Sequence, residues 1–127
     1  MSGEDKAAAF FQSSPTSLPA FESLKLYIKD FCPDARISVQ GSLLAFRTSA
    51  GFAYVTLPSP GDNSVLFNLA ITNRKKLSSD RIDKIVQPAP GTKSYVYHIL
   101  IHSADDIDSE IKSWIRQSYE YSKLNYA

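Results

Sequence analysis

Hydrophobic positions along the chain switch between two periods. From Ser17 to Phe31 they recur every three or four residues, at Phe21, Leu24, Ile28 and Phe31, which marks one stripe of an α-helix. Ser17 is placed to cap that helix, Pro19 falls in its first turn, where a missing N–H costs nothing, and Pro33 ends it. From Arg36 the period is two. Arg36, Ser38 and Gln40 alternate with Ile37 and Val39, and after a Gly41-Ser42 turn a second strand covers Leu43–Thr48. Ser49, Ala50 and Gly51 turn the chain into a third strand, Phe52–Leu57. A loop containing Pro58, Pro60 and Gly61 leads to a fourth, in which Val65, Phe67, Leu69 and Ile71 alternate with Leu66, Asn68, Ala70 and Thr72. Strands joined this closely predict an antiparallel meander.

Past a polar connection, Asn73–Ser79, the residues Ile82, Ile85 and Val86 fit one face of a short helix capped by Ser78 or Ser79 and stopped by Pro88. Gln87–Ser94 reads as a Pro/Gly loop. Tyr95–Ile101 returns to period two, with Tyr95, Tyr97, Ile99 and Ile101 on one face. A long helix closes the chain. Ser103 is its expected cap, Asp106 takes the reciprocal capping position, and Ile107, Ile111, Trp114, Ile115 and Ser118 form its inner stripe. The order is helix, four strands, short helix, strand, long helix. It predicts an α+β domain over residues 17–127: a five-stranded, mainly antiparallel sheet with its helices on one face. Residues 1–16, with Ser2, Gly3, Ser13, Ser14 and Pro15, are expected as a disordered or loosely docked tail whose anchors are Phe10 and Phe11.

Composition narrows the classes of function. A hydrophobic fraction of 43% and an aromatic fraction of 12% supply a core for one domain of 127 residues. Fourteen basic against thirteen acidic residues leave a formal charge of +1, which argues against a dedicated nucleic-acid binder and gives no reason to expect an anionic membrane as partner. The one cysteine, Cys32, can make neither an internal disulfide nor a structural zinc site. Met1–Lys6 has no apolar run of the kind that opens a secretory leader, and no stretch is long enough to span a bilayer, so a cytoplasmic protein is expected.

Two segments carry a resemblance. Leu43–Leu57, with its aromatic-plus-basic pair Phe46-Arg47 and a following strand that starts Phe52-Ala53, is one. His98–Glu120 is the other, with the helix start Ser103-Ala104-Asp105-Asp106-Ile107-Asp108 and the aromatic Tyr119 in the final helix. Together they resemble the bacterial family known as domain of unknown function 5655, over about Phe21 to Tyr121. The resemblance implies a small α+β domain that stands alone or is appended to others. It implies no activity, no cofactor and no site residue.

The candidate chemistry is sparse. His98 and His102 on one strand share a face but lie roughly 13 Å apart at about 3.3 Å per residue, too far for one metal ion. Asp105, Asp106, Asp108 and Glu110 are accounted for by a helix start, and the run lacks the glycine of a calcium loop. Arg74, Lys75 and Lys76 form a basic cluster without interleaved aromatics, so a solvated loop is expected there rather than a nucleic-acid contact. No cofactor, metal or catalytic set is expected, which favours a non-enzymatic domain.

Interest falls on the sheet face turned away from the helices. The alternation places Leu43, Ala45, Arg47, Leu66, Asn68, Ala70, Val96, His98 and Leu100 there, joined by Tyr54. An apolar-rich face of this kind calls for a cover: the tail through Phe10 and Phe11, a second copy of the chain, or a ligand. The leading expectation is a binding or protein-interaction module that uses this face, with self-association as its simplest form. The alternative is a small-molecule or anion site, possibly catalytic, formed by Arg47, Tyr54, Asn68 and His98.

Overall fold

A computed structural model describes residues 3–12, 14–58, 64–74, 77–86 and 95–124. The helices are α1 (Gly3–Phe10), α2 (Leu18–Phe31) and α3 (Ser109–Leu124). The strands are β1 (Arg36–Gln40), β2 (Leu43–Arg47), β3 (Gly51–Thr56), β4 (Phe67–Asn73), β5 (Ile82–Val86) and β6 (Tyr95–Ile101). They form one antiparallel sheet in the order β1-β2-β3-β4-β6-β5. The α+β architecture is as expected, but the sheet has six strands rather than five. Among the described residues, no helix is long and apolar enough to cross a membrane.

The sixth strand replaces the short helix expected over Ile82–Val86. An edge left open on β6 is satisfied by pairing with this β-branched segment, which is too short for a helix to hold itself together. The misleading spacing has a geometric cause. Ile82 pairs with Ile99 and Ile85 with Tyr97, so residues three apart share the core side, because a bulge at Asp83 breaks the alternation between Ile82 and Lys84.

The capping box expected between Ser103 and Asp106 is present, but it closes a separate turn ahead of α3. Ser103 precedes a single 3₁₀ turn, Ala104–Asp106, and the helix proper begins at Ser109. The Asp106 carboxylate accepts from the amides of His102 at 2.7 Å and Ser103 at 3.3 Å, while the Asp108 carboxylate caps α3 by accepting from Ile111 N at 3.2 Å.

All three helices bury their apolar sides in one cluster with one face of the sheet. Ala7 and Phe11, Phe21 and Leu24, and Ile111 and Ile115 meet Leu44, Phe46, Val55, Leu69, Ile71, Tyr97 and Ile99. Aromatic rings run through it from Phe11 to Phe21 (4.7 Å) to Phe46 (5.7 Å). Phe10 and Phe11, considered above as a cover for the opposite face, are therefore on the helix side. Leu66 also leaves the face expected for it and packs against the core. Cys32 is buried beside the same cluster.

A second bulge lies in β3. Phe46 pairs with Ala53 and Arg47 with Gly51, leaving Phe52 without a partner on β2. Phe52 and Ala53, neighbours in sequence, are both fully buried as a result, and the Phe52 ring meets Phe31 and Tyr119. The turn between β1 and β2 has Gly41 at φ 59°, with no other positive φ among the described residues, as a two-residue hairpin led by glycine requires.

Candidate functional site

The face away from the helices is built from cross-strand rows. One runs Ser38, Ala45, Tyr54, Ala70, His98, Lys84 across all six strands, and the next runs Gln40, Leu43, Thr56, Asn68, Leu100. Residues in these rows are close neighbours because direct partners on one face have Cβ atoms about 5 Å apart. Most are half-buried. Ala70 is buried in the centre, and Leu43 on β2 and Val86 on β5 are the large apolar side chains most exposed on this face.

At its centre lies a polar triad. The Asn68 amide donates to Thr56 Oγ1 at 3.2 Å, and its Nδ2 lies 3.0 Å from His98 Nδ1. With the amide so oriented, Nδ1 accepts, and the neutral imidazole carries its proton on Nε2. Burial pushes the His98 pKa below its ordinary 6.5, the neighbouring Lys84 ammonium lowers it further, and Asp83 opposes both. The folded surroundings thus favour the neutral ring, a donor at one nitrogen and an anchored acceptor at the other.

The remaining expected residues sit apart from this triad. Arg47 and Tyr54 line a separate shallow hollow of about 140 Å³ with Ser38, Gln40, Leu43 and Ala45. Tyr54 leans toward the β2–β3 turn, where its hydroxyl fills the space a Cβ at Gly51 would need. Ala70 stands between Tyr54 and His98, so the two rings are separated by the width of β4, roughly 10 Å at the usual strand spacing. The four residues named from the sequence therefore form two pairs, Asn68 with His98 and Arg47 with Tyr54. Thr56 and Lys84, which belong with the first pair, were not named. Thr56 was visible only through register, and Lys84 was hidden by the reading of β5 as a helix.

The other candidates resolve into structural roles. His102 lies just past β6 and its Nδ1 is 2.7 Å from the Ser64 carbonyl oxygen. Among the described residues, no three His, Cys, Asp or Glu side chains converge as a metal site would require. Arg81 holds the Asp108 carboxylate at 2.8 and 2.9 Å, reaches Glu110 at 3.2 Å and donates to the Asp106 carbonyl, so it clasps β5 to the start of α3. Arg74 lies beside the Tyr121 ring, while Lys75 and Lys76 are outside the described residues.

The family model for the domain of unknown function DUF5655 matches residues 7–122. The chain belongs to that family. No curated protein and no solved structure matches it. The DUF5655 match takes in α2, all six strands, nearly all of α3 and the part of α1 that carries Ala7, so it spans both faces of the sheet.

Proposed function

We propose that this DUF5655 chain is a non-enzymatic binding module that presents the open face of its sheet to a second copy of itself. The observation that carries the reading is the central strip Ala45, Tyr54, Ala70, His98. Its small residues allow close approach, it is flanked by the exposed Leu43 and Val86, and no described helix packs over it. Sedimentation equilibrium across the micromolar range tests it. Wild type should show concentration-dependent dimers and Ala70→Arg should remain a monomer, whereas a strictly monomeric wild type would refute self-association.

The hydrogen-bonded Asn68–His98 pair favours a second reading, a small polar or anionic ligand held on the same face with Tyr54 and Arg47 at its far side. A thermal-shift ligand screen on wild type, His98→Ala and Arg47→Ala separates the two. A hit that both variants lose supports the ligand site, and hits indifferent to both variants count against it.

A further inference from the structure

A further hollow lies away from the open sheet face. It is an open groove of about 750 Å³ along the outer side of α3, flanked by Tyr27 of α2 and by Arg74 just beyond β4. That volume is in the range of small-molecule sites. Three cations border it, Arg74, Lys112 and Arg116, against one carboxylate, Glu120. Glu120 is already paired with Lys123 at 3.6 Å. The other ion pairs among the described residues join Lys25 to Glu22 and Arg81 to Asp108 and Glu110, so none serves the three groove cations.

Among the described residues, those cations are ordered by aromatic rings and not by a carboxylate. Lys112 Nζ lies 5.3 Å from the Tyr27 ring centre, the Arg116 guanidinium 5.4 Å from Phe31, and the Arg74 guanidinium 6.0 Å from Tyr121. Tyr27 is fixed in turn, because its hydroxyl donates to the Lys112 carbonyl at 3.0 Å. Lys112 and Arg116 are one turn apart on α3, and like charges at that spacing destabilise a helix. A bound anion would reverse that cost. Between the two ends, Asn73 donates to Gln117 at 2.9 Å and Gln117 donates to Ser113 at 3.1 Å, a chain of neutral polar groups along the groove.

We propose that this groove binds a small organic phosphate of nucleotide size. Lys112 and Arg116 take the phosphate, and the Arg74–Tyr121 end meets a planar ring. The spacing selects this class. Nine residues of helix separate Lys112 from Tyr121, about 14 Å at 1.5 Å per residue, which a lone phosphate cannot bridge. Adjacent Arg and Lys donors suit phosphate oxygens, and a guanidinium beside an aromatic ring suits a flat heterocycle.

The test is titration calorimetry with adenosine 5′-monophosphate, adenosine and inorganic phosphate, alongside amide chemical shifts of the wild-type chain. The monophosphate should bind one to one, more tightly than either fragment and more weakly as salt is added. Its affinity should fall about tenfold or more in Lys112→Gln/Arg116→Gln, since each charge-assisted bond contributes about 1.5–3 kcal/mol and 1.4 kcal/mol is tenfold. Arg74→Gln, which leaves α3 untouched, should weaken the monophosphate but not inorganic phosphate. In wild type the shifted amides should cluster between residues 112 and 121. No saturable binding at millimolar monophosphate would overturn the proposal. So would adenosine binding equally well, or shifts confined to the open sheet face.

Discussion

At the scale of single residues, His98 shows how a position gains a chemical character that its residue type does not state. Its ring is half-buried, anchored by Asn68 and flanked by Lys84, and all of its resolved neighbours except Asp83 disfavour the charged form. Folding thus lowers its pKa, and the unfolded chain binds the proton more readily. The stability His98 contributes is complete above its ordinary value of about 6.5 and is lost as the pH falls through the folded-state value. Urea midpoints measured from about pH 8 to about pH 5 should therefore fall more steeply for wild type than for His98→Gln. Parallel profiles would show that the ring is not held neutral. Histidine, asparagine and tyrosine could be placed on the open face from period two alone. Which of them touch could not, because register between strands distant in sequence is not written in either strand.

Elements are tied together at places where their ladders stop. The β3–β4 pairing ends at Ala53 and Ile71, and the next bond would join Phe52 to Thr72. Ser118 of α3 takes its place. It donates to the Phe52 carbonyl at 2.6 Å and accepts from the Thr72 amide at 3.0 Å. A serine within an apolar stripe is thereby explained, since it satisfies two strand ends that the β3 bulge would leave unpaired. Ser118→Ala removes both partners from a fully buried position and should cost about 1–3 kcal/mol. Denaturant unfolding checks this, and an unchanged midpoint would mean that the Thr72 amide finds another acceptor. The same bulge chemistry limited the sequence reading. The β3 bulge interrupts alternation for a single residue and leaves the rest of that strand legible, whereas the Asp83 bulge gave the short β5 the spacing of a helix.

For the molecule as a whole, the first described residues close the core. Phe11, just past α1, is fully buried between Phe10 and Phe21, and α1 lies along β1. Phe11→Ala should destabilise the protein by about 3 kcal/mol, as removal of a buried ring does. A loss below about 1 kcal/mol in thermal or urea unfolding would show the segment to be only loosely held. The open sheet face and the α3 groove lie on different sides of this core, so a partner on one leaves the other accessible.

The sequence by itself determined which segments are α2, α3 and five of the strands, and which side of each is apolar, because those properties repeat along the chain within a few residues. It also determined membership in the DUF5655 family. The tertiary structure decided that Ile82–Val86 joins the edge of β6, that Phe11 enters the core, and that Asn68 meets His98 while Tyr54 turns toward Gly51. It also decided that Lys112, Arg116 and Arg74 border one groove. Each of these depends on the pairing of distant segments, whose free energy comes from burial and hydrogen bonds formed across the fold rather than along the chain.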